Sequence, residues 1–68
     1  MRVYVNGEAK ELSDHISLAE LISQLNLPAG RIAVELNRNV VRRNDWSTTM
    51  LADGDSLEIV HFVGGGSG

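Results

Sequence analysis

Few side chains in this 68-residue chain are of the types that do chemistry, and those few are not spaced as a site. There is no cysteine, which excludes thiolate nucleophiles, thiolate metal sites and disulfides. His15 and His61 are far apart and lie in different kinds of segment, so the spacing announces no metal centre. Asp53 and Asp55 flank Gly54 and are most simply turn formers; two carboxylates without a third ligand or a partner acid make a poor case for calcium or for general acid–base work. His61, Trp46 and Tyr4 are read as structural residues. No catalytic residue and no metal ligand is assigned. What remains is the run Gly64-Gly65-Gly66-Ser67-Gly68. Without Cβ atoms such a run can thread a narrow channel and bring backbone close to an enzyme surface. Three extended residues reach about 10 Å and five roughly 17 Å, enough to enter a buried site while a globular body stays outside.

That body has to be built from residues 1–63, with 64–68 as a mobile glycine tail. Arg2 to Asn6 alternates with period two, putting Val3 and Val5 on one face and Arg2 and Tyr4 on the other. Asn6-Gly7 tolerates the positive φ angles of a tight turn, so Glu8 to Leu12 is expected to return antiparallel. Ser17-Leu18-Ala19-Glu20 fits a capping box. From it, Leu18, Leu21, Ile22 and Leu25 form one apolar helical stripe. Asn26 and Leu27-Pro28-Ala29-Gly30 end that helix. Ile32, Val34 and Leu36 alternate as a strand, and Val40-Val41 after Asn37-Arg38-Asn39 makes a pair with it. Arg42 to Met50 reads as irregular. After the Asp53-Gly54-Asp55 turn, Leu57, Ile59, His61 and Val63 alternate in a last strand. Leu57 and Ile59 face the helix, which leaves Val60 and Phe62 on the opposite face as a small apolar patch suited to a transient partner. One sheet covered on one face by one helix buries both patterns.

Composition narrows the classes further. A chain this short is one domain, near the lower limit for an unaided core, and a large cleft is not expected. Net charge is −3, and the one dense basic group, Arg38, Arg42 and Arg43, is too small for a nucleic-acid footprint. No segment approaches the length of a membrane helix, the start does not read as a signal peptide, and a soluble cytoplasmic protein is expected. Neither G-x-x-x-x-G-K-[ST] nor G-x-G-x-x-G occurs, so no nucleotide or other cofactor is expected to bind.

The element order resembles the ubiquitin-like β-grasp fold, an α+β class with a mixed four- to five-stranded sheet covered by one helix. The end of the chain, Asp53-Gly54-Asp55-Ser56-Leu57-Glu58-Ile59-Val60-His61-Phe62-Val63-Gly64-Gly65-Gly66, is very similar to the end of the ThiS family, the sulfur carriers of thiamine thiazole biosynthesis. Ile32 to Trp46 resembles the middle of that family, so the likeness covers nearly the whole chain. The resemblance implies that the C-terminal glycine is adenylated by an E1-like adenylating enzyme (ThiF-type), which uses the ATP, and converted to a thiocarboxylate. A sulfur donor enzyme supplies the sulfur, and thiazole synthase (ThiG-type) receives it. The carrier would be a co-substrate and a monomer when free. The family ends at its diglycine, whereas Ser67-Gly68 follows here, so the sulfur-carrying residue is expected to be Gly66 after removal of Ser67 and Gly68, and otherwise Gly68. Other readings are a carrier like the small subunit of molybdopterin synthase, a ubiquitin-like protein modifier, or a binding module followed by a linker.

Overall fold

A computed structural model describes residues 1–62; Val63 and the run 64–68 lie outside the described residues. Strands β1 (Arg2–Val5), β2 (Glu8–Glu11), β3 (Ile32–Leu36), β4 (Asn39–Val41) and β5 (Ser56–His61) form one sheet in the order β2-β1-β5-β3-β4. The pair β1–β5 is parallel and the other pairs are antiparallel, so the sheet is mixed. Helix α1 (Leu18–Gln24) supplies Leu18, Leu21 and Ile22 to the core. There they join Val3, Val5, Val34, Leu57 and Ile59 from the three central strands. This is the β-grasp arrangement that the order of elements implied, with five strands.

Local chemistry accounts for each turn. The first hairpin closes on the pair Val5 and Glu8, with Asn6 and Gly7 at φ 52° and 84° between them. Two consecutive positive φ angles match the right-handed twist of the flanking strands. The second hairpin repeats the device between Leu36 and Asn39, with Asn37 at φ 50° and Arg38 at 72°. The helix starts as expected: the Glu20 amide donates to Ser17 Oγ at 3.1 Å, and the Ser17 amide donates to Glu20 Oε1 at 2.8 Å. It stops in a Schellman arrangement, in which the Asn26 amide reaches Ser23 O and the Leu27 amide reaches Ile22 O. Asn26 takes the left-handed position at φ 56°, where glycine is commoner. Leu25, counted with the helical stripe, is therefore the cap residue and only partly buried. Because Ser17 is buried and satisfies an otherwise orphan amide, Ser17→Ala is expected to cost roughly 1 kcal/mol. A melting temperature equal to that of the parent chain would contradict the capping role.

The segment read as irregular is ordered. Arg43–Thr48 forms a 3-10 helix, and Trp46 is buried with its indole Nε1 donating to Val41 O at 2.9 Å. A single large residue in a polar stretch has no periodicity to announce it; Trp46 is buried where this 3-10 helix contacts α1. Ile16 and Leu51 are also core residues, joined where the Leu51 amide donates to Ile16 O at 3.0 Å.

Candidate functional site

The geometry of interest is the end of β5. This strand lies between β1 and β3: β1 pairs with it at Ser56 and Leu57, and β3 pairs with it from Leu57 to His61. Leu57 and Ile59 point under the helix and are buried, while Val60 is 59% exposed and Phe62 49% exposed. Val60 stands opposite Ala33 on β3, and the Phe62 amide donates to Arg31 O at 2.9 Å, which carries the ladder one residue past β5. Phe62 does not close over the core; it borders a shallow depression with Ala29, Gly30 and Arg43. Two apolar side chains therefore stand exposed where the chain is about to enter Gly64-Gly65-Gly66. The residues expected to carry sulfur, Gly66 or Gly68, and the tail residues Gly64 and Gly65 lie outside the described residues.

The remaining candidates are scattered. His61 has the parity of Leu57 and Ile59 but is exposed, bordering a depression with Val5, Leu25 and Leu27. His15 is exposed in a turn at φ 63°. Asp53 accepts the Arg2 amide at 2.7 Å, and Asp55 accepts the Ala52 amide at 2.7 Å and the Asn37 side chain at 3.0 Å. Both are thus engaged in holding the turn before β5. Arg38, Arg42 and Arg43 are exposed. Among the described residues no group of three or more His, Asp or Glu could hold a metal ion, and no helix is long and apolar enough to cross a membrane.

One arrangement was not legible in advance. The Asn6 side chain reaches β5, with Oδ1 accepting from the Ile59 amide at 2.7 Å and Nδ2 donating to Ile59 O at 3.1 Å. The sequence marks Asn6 only as a turn former, since a contact across 53 positions leaves no local signal.

A sequence model described as the ThiS family matches residues 3–66, which includes Gly64, Gly65 and Gly66. A thiazole synthase from Paramagnetospirillum magneticum is 36% identical over 67 residues, covering 98% of this chain and 21% of that protein. The chain thus spans about a fifth of the length of the curated thiazole synthases it matches. The sulfur carrier protein ThiS of Bacillus subtilis is 33% identical over 63 residues, with 91% of this chain and 96% of that protein covered. Among solved structures, the thiamine biosynthesis protein ThiS from Geobacter metallireducens superposes with a TM-score of 0.85 at 35% identity, covering 97% of this chain and all of that one.

Proposed function

Since the chain belongs to the ThiS family, we propose that it is a sulfur carrier of thiamine biosynthesis, acting as a co-substrate through its C-terminal glycine. The observation that carries this reading is the end of β5: a central strand held by β3 up to His61, with Val60 and Phe62 exposed, that leads into a glycine run. Such a body is a handle. The terminal carboxylate needs no side chain of its own to be activated, because its own oxygen attacks the α-phosphate of ATP and displaces pyrophosphate; it needs access, which glycines give. A ThiF-type enzyme brings the ATP, so the carrier holds no cofactor. On the adenylated glycine, taken to be Gly66 once Ser67 and Gly68 are removed, sulfide-level sulfur from a donor enzyme attacks the acyl carbon, the bond to AMP breaks, and AMP leaves a thiocarboxylate behind. Thiazole synthase is the acceptor. Tethering the sulfur to a docked body raises its effective concentration at that acceptor. The free carrier is a monomer, and the exchange is cytoplasmic.

The test is intact-mass measurement. A chain ending at Gly66, incubated with the adenylating enzyme, ATP and a sulfur source, is expected to gain the mass difference between sulfur and oxygen, located on its last residue. No gain with competent partners would remove the carrier reading. Efficient thiocarboxylate formation on an untrimmed Gly68 would overturn the assignment to Gly66.

Val60 and Phe62 are the proposed partner surface. Phe62→Asp keeps the core intact, since Phe62 is not part of it, yet places a charge where association must remove water. Binding to the adenylating enzyme, measured by calorimetry on the folded variant, is expected to weaken at least tenfold. Affinity equal to that of the parent chain would exclude this patch as the docking surface.

A further inference from the structure

The odd-numbered residues of β5 turn their backbone groups toward β1. Tyr4 donates its amide to Asp55 O and Asn6 donates its amide to Leu57 O, each at 2.8 Å. β1 then ends at Val5 and the chain reverses through Asn6 and Gly7. Ile59 is therefore the first residue on that side of β5 with no strand left to pair its amide and carbonyl. The Asn6 side chain stands in for the missing strand, and its amide group contacts both atoms in the one orientation that matches donor to acceptor. The match is specific to this side chain. Aspartate can only accept when ionised, and glycine offers nothing, although both suit a turn position at φ 52°.

The contact falls three residues before Phe62, on a part-buried stretch of the strand that leads toward the glycine run. We propose that Asn6 is a positioning residue: by clamping Ile59 it fixes the point and direction at which the terminal segment departs from the sheet, and so how the reactive end is presented to a docked enzyme. This rests on the carrier reading. Without the clamp, β5 beyond Leu57 is held from one side only, by β3, and the end of the strand can swing about that edge. Misplacing a reacting group by about 1 Å is enough to cost up to a hundredfold in rate.

The test uses the full chain carrying Asn6→Gly, with Asn6→Asp as a second variant. Glycine keeps the turn and removes the clamp; aspartate keeps the turn and the acceptor for the Ile59 amide but sets a carboxylate against Ile59 O. In Asn6→Gly, hydrogen exchange at the Ile59 amide is expected to speed up roughly tenfold, with the Val34 amide in β3 unchanged. With the adenylating enzyme, ATP and a sulfur source, the maximal rate of thiocarboxylate formation per folded molecule is expected to fall roughly tenfold or more. The carrier concentration giving half that rate should stay constant, because Val60 and Phe62 are untouched. Asn6→Asp should fall between the parent chain and Asn6→Gly. A purely structural role would lower the folded fraction and leave the rate per folded molecule unchanged, and that result overturns the proposal while the carrier reading stands. If Asn6→Gly does not fold, the same ratio is read from Asn6→Asp; failure of both to fold assigns Asn6 to sheet stability and also overturns the proposal. No sulfur gain on the parent chain removes the carrier reading, and this proposal with it.

Discussion

A chain lacking Gly65 and Gly66 is expected to gain no sulfur at all, while its melting temperature stays at the parent value. The two halves of that expectation come from separate parts of the molecule. Among the described residues the buried apolar side chains run from Val3 to Ile59, so the core is complete before the glycine run begins. The fold should not register the deletion. Reactivity should be abolished, because the terminal carboxylate of a chain two residues shorter falls roughly 7 Å short of the reach that a buried site demands. Gly65→Val is a finer probe of the same idea. It keeps the length and the carboxylate but adds a β-branched side chain that stiffens the backbone and widens it. Adenylation by the partner enzyme should drop by orders of magnitude, read as loss of the mass gain under conditions in which the parent chain reacts completely. A Gly65→Val chain that reacts normally would mean that the channel is wide and that the glycines serve another purpose.

The second large effect concerns the body. Leu57 and Leu21 are both fully buried, one on the central strand and one on the helix that covers it. Truncating either to alanine removes transfer energy and leaves a cavity, at a cost of about 2–5 kcal/mol. Domains of this size have only a small margin of stability, so Leu57→Ala or Leu21→Ala is expected to leave the protein largely unfolded at 37 °C or to lower its denaturation midpoint severely. Val40 is 71% exposed on β4, and Val40→Ala should change stability by less than about 0.5 kcal/mol. Urea unfolding of the three variants, at equal m-value, checks the ranking. Similar costs at Val40 and Leu57 would show that the faces of the sheet are reversed.

The comparison of these residues shows where sequence is informative. Val3, Val5, Leu57 and Ile59 are legible because a strand with one buried face repeats every two residues, and Leu18, Leu21 and Ile22 because a helix repeats every 3.6. The helix cap is legible because its chemistry is local. Trp46, Ile16 and Leu51 are buried without belonging to any repeat; Ile16 and Leu51 meet through a backbone contact between distant segments, and Trp46 sits on the 3-10 helix that contacts α1. His61 shows the opposite failure. Its alternation says inward, but inward has meaning only where the face is fully covered, and at His61 an open depression remains. At the proposed site, Val60 and Phe62 followed from parity, whereas the Asn6 clamp depends on where β1 stops relative to β5, which is a property of the assembled sheet.

The central position of β5 also bears on how the protein is made. β1 with β2, and β3 with β4, are local hairpins that can pair as soon as they are synthesised, but neither touches the other in the sheet; only β5 joins them. A nascent chain that stops before Ser56 therefore holds two hairpins and a helix with no common sheet, and the contact between Asn6 and Ile59, 53 positions apart, closes one of the longest loops in the fold. Closing such a loop is slow compared with forming a hairpin. Completion of the body thus waits on its own last strand, the one that leads into the glycines. A truncated product would be left unfolded and open to proteolysis instead of circulating as a docking-competent body that occupies the partner enzyme without delivering anything to it.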